Sequence, residues 1–389
     1  MRKIRIAVIA HYCRIGGTLT GTLNLLKALK NVVQNEQFLL VCSAGCGYQD
    51  IDLPANTEIF VYEGLHSPLS RYRFERVILP KLVGRYGPDV IFGTANVGLP
   101  NPVSPQALLM QQAYLLYDKS HYPDIHLRLR VRIAALRAQV KNSLRATDLV
   151  LCQTPVVKRR FANRFGYPES KIRILRWAPP AEIGPASADG LPSTLDNDAD
   201  SLHVLLLTRF MPHRNPGTLI PLCLRYGKEL RTKRVRFTTT IEPKDDPHAA
   251  RFLRNISDKC LDDLIINVGS LSRADVVKYY ANSHVLWLPT TLETLCLPFL
   301  EAMSIGVPIL APDLDFARYV CGDAAIFYDP WDMESMFSKI LLLRDDPPLR
   351  RQLIEKGRAE LGNRDKFAAN WDEVAADVLR YLRLLAELS

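Results

Sequence analysis

Short apolar runs recur through the chain, each followed by a polar or glycine-bearing loop and then a stretch with helical spacing. In the first half the runs Ile4–Ala10, Phe38–Cys42, Glu58–Tyr62, 90–94, Leu108–Met110, Asp148–Gln153 and Lys171–Leu175 predict strands. The second half restarts with His203–Leu207 and continues with Arg236–Thr240, Ile265–Val268, Val285–Leu288, Val307–Leu310 and Ala325–Phe327. Helices are predicted near 22–30, 333–343, 349–363 and 368–388, and one after Thr154, a capping residue followed by Pro155 in the first turn. Strands alternating with helices predict α/β architecture with parallel sheets. Two such series predict two doubly wound sheets.

Between the series lies APPAEIGPASADGLPSTLDNDAD (178–200), rich in Pro, Ala, Ser and Asp and without apolar period. It predicts a linker. The expected division is a first Rossmann-like domain over 1–180, a linker over 181–200, a second over 201–370 and a terminal helix over 371–389. A chain of 389 residues, 48% of them apolar, is long enough for two cores. No run reaches the eighteen apolar residues of a membrane span. The N-terminal apolar stretch is short and reads as a buried strand, not a signal peptide. The eight cysteines are scattered and form no ligand pattern, which predicts free thiols in a reducing compartment.

Charge changes the picture in one region. Residues 126–176 hold thirteen Lys or Arg against Asp148 and Glu169, a local excess of +11 in a chain of net charge +9. Leu129, Ile133, Leu136, Val140 and Leu144 form an apolar helical stripe there, with Arg130, Arg137, Lys141 and Arg145 beside or opposite it. Two readings stay open: a helix packed on the first domain with a wet basic side, and a patch that meets an anionic membrane. The basic region has neither a zinc pattern nor an evident stacking platform, so nucleic acid is not expected.

Candidate chemistry concentrates in LWLPTTLETLCLPFLEAMSIGVPILAP (286–312). It has strand, loop, helix, strand grammar, with Glu293 at the end of the loop and Glu301 expected near the N-terminus of the helix. Carboxylates can hold sugar and ribose hydroxyls, and free helix N–H groups can hold phosphate. The two glutamates lie eight positions apart, with seven residues between them. In this context, and with CGDAAIFYDP at 321–330, the segment resembles the donor-site signature of retaining family-4 glycosyltransferases of the GT-B fold. That resemblance implies two Rossmann-like domains facing a central cleft, and a last helix that crosses back to the first domain. It also implies a donor that is a nucleotide-diphosphate sugar, with no metal and no further cofactor.

The resemblance assigns roles residue by residue. Arg209 and Arg214, in LTRFMPHRNPGTLI after the strand at 203–207, grip the diphosphate. Glu301 binds ribose and Glu293 the donor sugar. Gly269, Ser270 and Leu271 frame the nucleobase, whose identity stays open. Backbone groups of Leu295 and Cys296 face phosphate or sugar, although relatives usually carry glycine at the positions of Thr294 and Cys296. Gly16 and Gly17 face the donor phosphates or the acceptor. Where many relatives have a histidine, this chain has Gln111 and Gln112, which can hydrogen-bond hydroxyls but cannot take a proton.

The expected activity is retaining transfer of a sugar to a glycan acceptor, lipid-linked, in cell-surface polysaccharide or lipopolysaccharide synthesis. The enzyme would be cytoplasmic and peripheral on the inner face of the membrane, in an oligomeric state the sequence leaves open. Two alternatives remain: a small soluble acceptor, or a catalytically silent nucleotide-sugar-binding protein of the same fold.

Overall fold

The computed structural model describes residues 3–64, 67–122, 125–179 and 201–387. The linker expected at 181–200 lies outside them. The chain forms two compact units. One comprises Met1–Tyr117, His126–Ala181 and Asp365–Ser389; the other comprises Asp118–Ile125 and Glu182–Arg364.

The first unit has seven parallel strands: β1 (Arg5–Ile9), β2 (Gln37–Ser43), β3 (Thr57–Tyr62), β4 (Val90–Gly93), β5 (Gln106–Met110), β6 (Leu149–Cys152) and β7 (Ile172–Ile174). Their order is β3-β2-β1-β4-β5-β6-β7. β1 therefore pairs with β2 on one side and β4 on the other, with Ile6 opposite both Phe38 and Val90. The direction of winding reverses between β1 and β4. Helices cover both faces, so the central strands are buried throughout and read in sequence as continuous apolar runs.

The terminal helix Trp371–Ala386 belongs to this unit and packs on the helix Gly16–Val32. A Cβ at Gly21 would lie 2.1 Å from the Trp177 ring, so only glycine admits the approach. Trp177 meets Trp371 edge-on at 5.1 Å, and Arg383 pairs with Glu36 at 2.6 Å. The helix Gly16–Val32 starts well before the expected 22–30, and Gly16 itself has φ +63°. Glycine and threonine are poor helix formers, which hid its first turns.

The second unit has six parallel strands: β8 (Leu202–Leu206), β9 (Val235–Thr239), β10 (Ile265–Asn267), β11 (Val285–Trp287), β12 (Ile309–Pro312) and β13 (Ala325–Tyr328). The order β10-β9-β8-β11-β12-β13 reverses between β8 and β11. Phe237, Trp287, Leu310 and Tyr328 fill its core, and the buried Trp287 indole donates to Tyr328 Oη at 3.0 Å. β12 begins two residues later than expected. Gly306 ends the preceding helix at φ +91°, and the Val307 N–H is spent on Ala302 O.

The apolar stripe at 129–144 is packed on the first unit: Ile133, Val140 and Leu144 are buried, and Leu129 and Leu136 half-buried. The helix Leu127–Ser143 exposes a different face, with Leu127 74% and Val131 62% exposed among Arg128, Arg132 and Lys141. Arg137 is turned inward and donates to the carbonyls of Tyr114 and Tyr117.

Candidate active site

Ligands of doubly wound sheets bind outside the carboxyl ends of strands, where the strand order reverses. In the second unit that place lies between the loops after β8 and β11. The two loops are tied together. The His213 carbonyl accepts from the Thr291 N–H at 2.8 Å and from the hydroxyls of Thr290 and Thr291 at 3.2 Å each. Across this tie Arg214 Nη2 meets Glu293 Oε1 at 3.0 Å, with only 21% and 11% of the side chains exposed. Burial pushes the Glu293 carboxyl up, and Arg214 and Thr290 only partly offset it. Burial also works against the charge on Arg214, but Glu293, together with Cys296, Tyr280 and Glu301, outweighs it and holds the guanidinium above its usual range. Burial, with Arg214 next to it, drives the His213 imidazole well below its usual range, so the ring is neutral.

The loop after β11 ends at Cys296, which has φ +62°. This left-handed residue is the N-cap of the helix Leu297–Ile305, whose first turn contains Pro298. A side chain in that conformation is uncommon, and glycine is the residue that adopts it without cost. Leu295 and Cys296 are both buried. Glu301 is not at the helix N-terminus, as expected, but one turn further in, because the helix starts only at Leu297. It is 5% exposed and doubly held: Oε1 lies 3.0 Å from Arg273 Nη1, and Oε2 accepts from Tyr280 Oη at 2.9 Å. The Nε and Nη2 of Arg273 are buried without a hydrogen-bond partner. Sequence reasoning missed Arg273 and Tyr280. The available signal was a basic residue opening the helix directly after the loop Gly269–Leu271.

Arg209 is not grouped with Arg214 and Glu293. Its Nε donates to Asp245 Oδ1 at 2.7 Å, and Asp245 Oδ2 accepts from the N–H groups of Phe210 and Glu242 at 3.1 Å each. Glu242 Oε1 in turn accepts from the Ser270 N–H at 2.8 Å, beside Gly269 at φ +71°. Arg209, Asp245, Glu242 and Ser270 thus form one connected set, next to the segment expected to frame the nucleobase.

In the first unit, Gly16 and Gly17 are exposed in the first turn of their helix. Gln111 is buried and acts as a tie, its Nε2 donating to Thr94 O at 2.6 Å. The N–H groups of Gln111 and Gln112 both donate to Asn96 Oδ1, at 2.7 and 2.9 Å. Among the described residues, no group of three or more His, Cys, Asp or Glu side chains is placed to hold a metal ion.

Residues 245–360, which include Glu293 and Glu301, match the family model described as glycosyl transferases group 1. The chain carries a group 1 glycosyltransferase domain. This glycosyltransferase is 23% identical over 265 residues to O-antigen chain mannosyltransferase B of Escherichia coli, covering 68% of this chain and 67% of that one. It is 25% identical over 250 residues to MMP alpha-(1->4)-mannosyltransferase of Mycolicibacterium hassiacum, covering 58% of each. Among solved structures, the sucrose-phosphate synthase of Thermosynechococcus elongatus matches 99% of this chain and 100% of its own with a TM-score of 0.78 at 17% identity. The glycosyltransferase therefore has the GT-B fold, with two Rossmann-like domains.

Proposed function

We propose that the second unit binds a nucleotide-diphosphate sugar and the first unit a glycan acceptor, and that the sugar is transferred with retention of configuration. The observation that carries this reading is the buried Arg214–Glu293 pair at the strand-order reversal of the second sheet. Arg214 presents forked donors to the diphosphate while one of its nitrogens stays on Glu293. Glu293 holds hydroxyls of the donor sugar. Glu301, positioned by Arg273 and Tyr280, takes the ribose. Arg209, held by Asp245 beside the base frame, gives the diphosphate a second cation, and Gly269, Ser270 and Leu271 frame the base. Gly16, Gly17, Leu295 and Cys296 contribute backbone groups.

In the reaction the bond from the anomeric carbon to the diphosphate oxygen breaks. A new bond forms to the acceptor hydroxyl on the same face, and the hydroxyl proton passes to the departing diphosphate. The protein supplies alignment and fixed positive charge. Both sequence relatives are mannosyltransferases by name, one of them for an O-antigen chain. Mannose is therefore the first sugar to test, and a lipid-linked cell-surface glycan the first acceptor.

A screen of nucleotide sugars by calorimetry tests the donor site. One donor should bind and be slowly hydrolysed. Glu301→Gln should weaken that donor by about tenfold, the loss of one charge-assisted bond, and leave inorganic diphosphate nearly unaffected. Equal affinity of both proteins for the donor would remove Glu301 from the site.

The cytoplasmic, membrane-peripheral location is proposed from charge. No helix among the described residues is long and apolar enough to cross a membrane. The exposed face with Leu127, Val131, Arg128, Arg132 and Lys141 suits an anionic bilayer surface, each basic side chain contributing on the order of 1 kcal/mol at low salt. Replacing Arg128, Arg132 and Lys141 with Ser should abolish co-sedimentation with anionic vesicles at low salt. Failure of the unaltered protein to co-sediment at low salt would end the membrane assignment.

A further inference from the structure

The loops after β9 and β10 lie side by side at the carboxyl ends of adjacent strands, next to the loop after β8 that carries Arg209. The loop after β9 is fixed residue by residue. Asn267, the last residue of β10, clamps both backbone groups of Ile241: its Oδ1 accepts from the Ile241 N–H at 2.9 Å, and its Nδ2 donates to the Ile241 carbonyl at 3.0 Å. Asp245 does the same for Glu242. Its Oδ2 accepts from the Glu242 N–H at 3.1 Å, and its own N–H donates to the Glu242 carbonyl at 3.0 Å. The Glu242 side chain then crosses to the neighbouring loop, where Oε1 accepts from the Ser270 N–H at 2.8 Å. Gly269 leaves it the space, since a Cβ there would lie 3.2 Å from that oxygen.

This carboxylate is only partly used by the fold. Oε2 accepts no hydrogen bond among the described residues, and Oε1 has capacity for a second. The side chain is half-buried, so a ligand can reach it. Its neighbours identify what such a ligand presents. Ser270 stands three positions before Arg273, whose Nη1 meets Glu301 Oε1 at 3.0 Å. The carboxylate assigned to the ribose is therefore tied to the helix that follows directly on the loop Glu242 holds. In a nucleotide the ribose is bonded to the base.

A carboxylate accepts and does not donate. Guanine is the common base whose pairing edge carries two adjacent donors, N1–H and the N2 amino group. They match the two oxygens of one carboxylate as a pair of parallel, charge-assisted bonds. Uracil and thymine offer one N–H between two carbonyl oxygens, which a carboxylate repels. Adenine and cytosine offer one amino group beside an unprotonated ring nitrogen, which it also repels. We propose that Glu242 selects guanine, so that the donor is a guanosine-diphosphate sugar. The proposal rests on the donor reading for the site, and on Glu242 with its fixed loop for the base.

The test titrates the full chain by calorimetry with the diphosphates of guanosine, inosine, uridine, adenosine and xanthosine. Guanosine diphosphate should bind at least about tenfold more tightly than the uridine or adenosine compound, the discrimination of a good two-bond contact to a base. Inosine diphosphate, which lacks the N2 amino group, should fall between. Glu242→Gln replaces one acceptor with a donor. It should lose at least about tenfold in affinity for guanosine diphosphate and gain affinity for xanthosine diphosphate, whose base has a carbonyl oxygen in place of the amino group. Such an exchange of preference is a readout that mere loosening of the loop cannot give. An equal fall for every nucleotide in the variant overturns the proposal. So does binding of the uridine or adenosine compound to the unaltered protein as tightly as guanosine diphosphate. Either result leaves the donor site standing, whereas binding of none of the five defeats the donor reading and the guanine assignment together. The ranking on the unaltered protein decides even where the variant does not fold.

Discussion

The two units reverse their strand order at corresponding places, β1/β4 in one and β8/β11 in the other, and they fill those places differently. The second unit places a mostly buried ion pair there, Arg214 with Glu293, backed by a neutral His213. The first unit places a carboxylate network there, with Glu75 receiving Tyr12, Arg71 and Gln139, and with the His11 ring 3.7 Å from the same carboxylate. The ion pair suits a ligand that brings its own charge, because a diphosphate can share the guanidinium. The network instead satisfies its carboxylate within the unit, through Tyr12, Arg71 and Gln139.

The largest effect is expected from breaking the ion pair. Arg214→Ala leaves the Glu293 carboxylate buried and uncompensated, a change that typically costs roughly 3–5 kcal/mol of stability. Burial already holds Glu293 above its usual range. In the variant it would rise further, so the penalty should be greater at pH 8, where the group is charged, than at pH 5, where it can protonate. Adding Glu293→Gln should restore most of the stability and none of the donor affinity. Denaturant unfolding at the two pH values, with calorimetry for the donor, separates these effects. A pH-independent penalty would mean that Glu293 is not the group left unpaired.

The network in the first unit should answer to acid instead. Burial pushes Glu75 up, but the His11 ring, the Tyr12 hydroxyl and the Arg71 guanidinium outweigh it and hold the carboxyl at about 2, against an ordinary 4.5. A depressed carboxyl contributes stability that is present above the unfolded value and is lost as pH falls through the folded one. The contribution, about 3 kcal/mol at most, should therefore be complete at pH 5 and disappear between pH 4.5 and pH 2. Glu75→Gln should be less stable than the unaltered protein at pH 7 and converge with it near pH 2. Parallel stability curves over that range would show that Glu75 is not held in its charged form.

The same contrast governs what could be read from sequence. Parallel strands covered on both faces appear as continuous apolar runs, so the strands of both sheets are legible to within about two residues. Arg214 and Glu293 are legible because each lies in a short, recognisable segment. Their direct contact is not, since it joins loops 79 positions apart in sequence. The His11–Glu75 pair spans 64 positions and sits in no motif. Its carboxylate lies on a π-helical turn whose register no hydrophobic period announces. Arg273 was missed for a related reason: it acts through Glu301, which alone carries the motif. The predicted place of Glu301 was one turn off because the strand-to-helix loop runs on to Cys296, and no glycine marks its left-handed residue.

That residue allows the finest comparison. Each reversal point has a non-glycine residue in the left-handed region on the loop after its second strand, Asn96 after β4 at φ +61° and Cys296 after β11 at φ +62°, and the second unit adds Asn215 at φ +48° on the loop after β8. The left-handed conformation costs a side chain about 1–2 kcal/mol, less for Asn. Asn96 and Cys296 meet that cost in different ways. Asn96 uses its side chain, since Oδ1 accepts from the N–H groups of both Gln111 and Gln112. Cys296 makes no side-chain cap, and its buried thiol only packs. Asn96→Gly should therefore destabilise by about 1–2 kcal/mol, because two backbone donors lose their acceptor. Cys296→Gly should be neutral to within about 1 kcal/mol, because relief of the strained backbone offsets the lost packing and the greater freedom of the unfolded chain. Donor affinity should survive Cys296→Gly, whereas Cys296→Val, β-branched at a positive φ, should lose it along with stability. Thermal unfolding of the three variants would resolve the order. If Cys296→Gly proved as damaging as Asn96→Gly, the thiol would be doing more than filling space beside Glu293.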